Sequence, residues 1–113
     1  MKIQDIYNLM IKMGSAADFR GADGIKKFLA AKKKKFDRLP EDAKSEFDQE
    51  AFVNPFLDSG IYNISDDKEI KKVLVGIDIG PEEILIAKEL GDIDLVIAHH
   101  PIGKGLAHLA DVM

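Results

Sequence analysis

The stretch from Val73 to Pro101, VLVGIDIGPEEILIAKELGDIDLVIAHHP, constrains the fold more than any other part of the chain. Val73, Leu74, Val75 and Ile77 make a short, largely β-branched run, the composition of a buried strand. That strand should stop at Asp78 to Gly80. Pro81 then suits the first position of a helix, with Glu82 and Glu83 in its first turn. Ile84, Leu85, Ala87, Lys88 and Leu90 continue the helix, and Gly91 can close it. Asp94 to Ala98 reads as a second strand, with Leu95, Val96 and Ile97 as its apolar middle. The interval is long enough for a helical crossover, so the two strands should be parallel and joined right-handedly. Parallel strands place their carboxyl ends on one edge, where open α/β sheets hold their ligands. Asp78 and the pair His99-His100 should therefore share one rim.

Consecutive residues of an extended chain point to opposite sides, and Pro101 keeps His100 extended. Two such imidazoles should not chelate one ion together. Either each serves a different ion of a close pair, or one is a ligand and the other an orienting or acid–base group. In a chain with only three histidines, two in succession between a hydrophobic strand and a proline stand out. Asp78 has two candidate duties: capping the following helix, the commoner one, or carrying charge for a metal or substrate. Gly103-Lys104-Gly105 reads as a turn into a last short helix, and Lys104 is the candidate contact for a phosphate. It lacks the P-loop pattern. His108, on that helix, reads as a non-ligand.

The first half of the chain reads as helical. Ile3, Ile6, Tyr7, Met10 and Met13 recur at helical spacing, with Gly14 as the stop and the two methionines as core filling. Ser15 to Gly24 reads as a loop. Asp23 should cap a second helix that runs to about Phe36, with Ile25, Phe28, Leu29 and Phe36 on one side. The run Lys32 to Lys35 reads as a solvated helix end favoured by the helix dipole, in preference to an anion or nucleic-acid patch, because no aromatics interleave it and acidic residues follow at once. Pro40 opens a third helix that should end near Glu50. From residue 51 to 69 we expect a packed loop with turns at Asn54-Pro55, Ser59-Gly60 and Ser65-Asp66-Asp67, and a short strand at Ile61 to Ile64. The expected class is α/β: N-terminal helices over residues 1–50, then a βαβ unit with a partly parallel sheet over 70–113, in a single domain segment.

Composition narrows the chemistry. A length of 113 residues suits one domain. The net charge of −4 argues against nonspecific binding to nucleic acid or acidic membrane. There are no cysteines, so any metal must be held by His and carboxylates. No apolar signal segment follows Met1 and no run suits a spanning helix, so a cytoplasmic location is expected.

The segment LVGIDIGPEEILIAKELGDIDLVIAHHPIGKGL resembles the Nif-three-like family (Ngg-one-interacting factor three, also called GTP cyclohydrolase 1 type 2 homologues). The shared pattern is an apolar strand ending in Asp, a helix, and a D-L-V-I-x-H-H-P strand and turn, over about Lys71 to Leu106. The segment Asn54 to Gly60 suits a branch of the family with a longer N-terminus. The resemblance implies the N-terminal part of a Nif-three-like α/β fold, a cleft with two divalent metal ions (Zn, Fe or similar), and a homo-oligomer, often ring-shaped. It implies that His99 and His100 are metal ligands and that Asp78 sits by the cleft. It also implies a metal-dependent hydrolase acting on a small molecule, which a phosphate group and Lys104 would suit. The family's other ligands, an Asp and a His/Glu pair, lie further along a much longer chain. This sequence ends at Met113, so it reads as an N-terminal fragment that self-associates or does not hold two ions tightly. Two other readings compete with the enzyme: a non-catalytic metal-binding or assembly module, and a metal-free interaction fragment working through residues 1–50.

Overall fold

The computed structural model describes residues 1–56, 58–64 and 68–101. Leu57, the turn at Ser65-Asp66-Asp67, and the expected turn and helix carrying Lys104 and His108 lie outside the described residues. The protein is a mixed helix-and-strand chain of α/β character, with N-terminal helices and a small parallel two-stranded sheet. It divides into two units, Met1–Asn8 with Gly60–Met113, and Leu9–Ser59. No helix among the described residues is long and apolar enough to cross a membrane.

The first unit holds the sheet. Strand β1 (Val73–Ile79) pairs in parallel with β2 (Leu95–Pro101), from Val73 opposite Leu95 to Ile79 opposite Pro101. Both strands run further than expected, so His99 and His100 lie inside β2 rather than just beyond it. Helix α4 (Pro81–Leu90) connects them and contacts β1. Its limits follow from local punctuation. Pro81 needs no amide partner at the first position. The Gly80 N–H donates to Glu83 Oε2 at 2.7 Å, and Gly91 ends the helix at φ 75°, where a side chain would be strained.

Asp94 ties together the amino ends of the two strands. Its Oδ2 accepts from the backbone N–H groups of Lys71 (2.9 Å) and Lys72 (3.0 Å), and its Oδ1 faces Lys68 Nζ at 3.0 Å. Its own N–H donates to the Lys72 carbonyl at 2.9 Å. Lys72 Nζ reaches Asp92 at 2.6 Å. The chain start joins this region: the Met1 amino group pairs with Glu69 Oε2 at 2.7 Å, and the Ile70 N–H donates to the Met1 carbonyl. Residues 61–64 form no sheet pairing, so the short strand expected there is absent.

Along β1, Leu74 and Gly76 are half-buried, while Val75 and Ile77 are 69% and 68% exposed. One apolar face is thus open, where parallel sheets usually have both faces covered. Ile79, 6% exposed, is the one buried aliphatic or aromatic side chain among the described residues.

The second unit is helical. Helix α1 (Ile3–Ala17), which begins in the first unit, does not stop at Gly14. A Cβ at Gly14 would lie 3.1 Å from the Phe56 ring, so glycine serves there as a point of close approach. The half-buried stripe is Ile3, Ile6, Tyr7, Ile11 and Gly14. Met10 and Met13 fall on its flank and are exposed, contrary to the core role expected of them.

The next turn is built by Asp18, not Asp23. Its carboxylate accepts from the Arg20 N–H at 2.8 Å and from the Arg20 guanidinium at 2.6–3.1 Å, and its carbonyl accepts from the Gly21 N–H. Those bonds hold the Asp18 carboxyl below its usual range and raise the Arg20 guanidinium. Arg20 also stacks over Phe28 and donates to the Pro55 carbonyl. Helix α2 (Gly21–Asp37) follows, with Ile25, Phe28, Leu29 and Phe36 half-buried as expected.

Helix α3 (Glu41–Ser45) is shorter than expected, because Asp48 starts a new 3₁₀ turn, Gln49–Phe52, by accepting from the Glu50 N–H. Phe36, Phe47 and Phe52 pack with ring centroids 5.0–5.3 Å apart. Asn54 is buried and holds the packed loop, donating to the Ser59 carbonyl and accepting from the Phe56 N–H.

Candidate metal centre

The carboxyl ends of β1 and β2 bring Asp78, His99 and His100 to one rim. The sheet register sets Asp78 directly beside His100. In a parallel pair such residues share a face, and His100 Nδ1 lies 3.2 Å from Asp78 Oδ1. When Nδ1 carries the proton, the ring donates to this carboxylate and its Nε2 lone pair is left free. That is the arrangement in which a second carboxylate orients an imidazole ligand. Both side chains are well exposed, 61% for His100 and 76% for Asp78, so their ion pair adds little to stability.

Asp78 is free for this contact because Glu83 caps α4. The commoner duty expected of Asp78, helix capping, is therefore not the one it performs. The histidine rings also depart from expectation. They do not project apart: their centroids are 4.3 Å from each other, with planes tilted by 59°. Alternation in a strand sets the Cβ direction alone. At an exposed sheet edge the χ angles let the two rings swing together.

Two imidazoles side by side, with a carboxylate behind one of them, have the donor chemistry of a divalent-metal site. Among the described residues no group of three or more His, Asp or Glu side chains is arranged to hold an ion. Lys104 and His108 lie outside the described residues.

Sequence reasoning missed Asp94, at the opposite end of the strands from the histidines. Its carboxyl is held down at about 2, first by the Lys71 N–H, then by the Lys68 ammonium and the Lys72 N–H. The signal was present: a lone acid opens the second strand while Lys68, Lys71 and Lys72 precede the first. Its role is structural, since it fastens the strand starts. Comparison of the chain with protein-family models, with curated proteins and with solved structures finds no match.

Proposed function

We propose that this chain is a Nif-three-like protein whose strand-end rim, Asp78, His99 and His100, is half of a dinuclear metal site in a metal-dependent hydrolase. The observation that carries the reading is the juxtaposition at that rim: an Asp78–His100 contact of 3.2 Å with the His99 ring 4.3 Å from its neighbour. His99 and His100 would hold the metal, and Asp78 would orient His100. A bound divalent ion, Zn, Fe or similar, supplies the charge that activates water and stabilises developing negative charge. Lys104 would meet the charge of a small, phosphate-bearing substrate. The exposed apolar residues Val75 and Ile77 support self-association, which would complete both the sheet cover and the ligand set.

A second reading has its own support. Two exposed imidazoles, with no third converging donor among the described residues, also suit a non-catalytic metal-binding module that organises an assembly. Replacing His99 and His100 together with Ala separates the two. Metal and turnover of phosphate esters lost together support the hydrolase. Metal lost with a changed oligomeric state, and no turnover in the parent, supports the module. Unchanged metal content refutes both.

A further inference from the structure

The run of lysines in α2 reads from sequence as a solvated helix end in preference to an anion patch, yet it borders a depression in the second unit. Ala31, Lys34, Lys35, Arg38 and Leu39 line an open depression of about 410 Å³. These residues recur at i, i+3, i+4, i+7 and i+8, one face of a helix. The face is set by packing. Phe36 is engaged with Phe47 and Phe52, which turns the last two turns of α2 so that Lys34 and Arg38 lie on the side away from that aromatic cluster. Lys27, one turn before Ala31, continues the same stripe.

We propose that this depression binds a compact, multiply charged phosphate compound. Lys34, Lys35 and Arg38 are all exposed, and among the described residues none of them is in an ion pair. Of the cations nearby, Lys44 is engaged with Glu41 and the Phe36 ring and Lys32 with the Phe28 ring, while Lys33 lies round the helix from this face. Three free cations within little more than one helical turn repel each other unless an anion joins them. Arg38 adds a planar fork that fits phosphate oxygens in pairs. The helix dipole opposes an anion at this end. Here the final turn is already capped, with the Arg38 and Leu39 N–H groups donating to the Lys35 and Phe36 carbonyls, which offsets part of that cost.

Size and surroundings favour a small ligand over nucleic acid. The depression is open and lined by a single helix face, with room for a compact ligand only. Its apolar share, Ala31 and Leu39, suits a limited organic part. The face has no aromatic platform for stacking bases, because Phe36 points elsewhere. Glu41 and Asp42 follow directly and would repel a longer polyanion.

Calorimetric titration of the full chain with inorganic triphosphate at low salt tests the proposal. Saturable binding is expected, weakened about tenfold or more by Lys34→Ala with Arg38→Ala. Lys26→Ala with Lys33→Ala removes the same charge from nearly the opposite side of α2 and should leave affinity within about twofold. Alanine favours helix, so both variants should keep their circular dichroism spectrum. Equal losses in the two double variants would mean a diffuse positive field and overturn the site. No triphosphate binding by the parent would also overturn it. So would tighter binding of poly-uridine or poly-glutamate than of triphosphate.

Discussion

Replacing Asn54 with Ala should destabilise the protein by about 2–3 kcal/mol. Asn54 is 7% exposed, and its side-chain hydrogen bonds include Nδ2 to the Ser59 carbonyl at 2.9 Å and Oδ1 from the Phe56 N–H at 2.8 Å. Each is worth roughly 1 kcal/mol net. The two losses differ after substitution. Ser59 is exposed, so water can replace the lost donor at its carbonyl. Phe56 is half-buried and its N–H would be left without an acceptor, which costs about 1–2 kcal/mol. The melting temperature should fall by roughly 6–15 °C, given the usual entropy of unfolding for a chain of this size. Because the chain has no Trp, far-ultraviolet circular dichroism is the suitable monitor. Hydrogen exchange adds a local readout: the Phe56 amide should lose protection first. A melting temperature within about 2 °C of the parent, with Phe56 exchange unchanged, would refute this assignment of the loop's stability to Asn54.

Acid should act through Asp94. Its folded-state value of about 2 lies below that of an unfolded Asp, so its contribution is complete above about pH 4 and is lost as pH falls towards 2. Asp94→Asn should be less stable than the parent at neutral pH and should flatten the acid limb of the denaturation profile; an unchanged limb would show that Asp94 does not fasten the strand starts. At the rim, Asp78→Asn should weaken metal binding by about tenfold, the low end for loss of a ligand-orienting carboxylate because the pair is exposed. An isothermal zinc titration reads this directly, and an unchanged affinity would remove Asp78 from the site.

How much of this was legible in the sequence depended on whether the signal was local. The limits of α4 were readable because Pro81 and Gly91 act on their own backbone. The parallel pairing of β1 and β2 followed from the crossover length and the two apolar runs. The end of α1 was not readable, since Gly14 is a common helix stop and the role it has, close approach to the Phe56 ring, involves a residue far along the chain. The early end of α3 turned on Asp48 preferring to start its own turn. At the site, residue identities could be read but directions could not. Strand alternation predicts Cβ vectors, whereas the approach of the His99 and His100 rings is a matter of χ angles at an exposed edge. The partner of Asp78 depended on a competition that Glu83 settled by capping α4. The lysine run was visible as composition, but which of its cations share a face with Ala31 and Leu39 follows from the side of α2 that Phe36 packs against Phe47 and Phe52.

The claim that His99 and His100 hold metal is tested most directly by metal analysis and zinc titration of the full chain beside two variants. The parent and His108→Ala should take up divalent metal equally, and His99→Ala with His100→Ala should take up none. Equal uptake by that double variant, or no uptake of any divalent metal by the parent, would contradict the account.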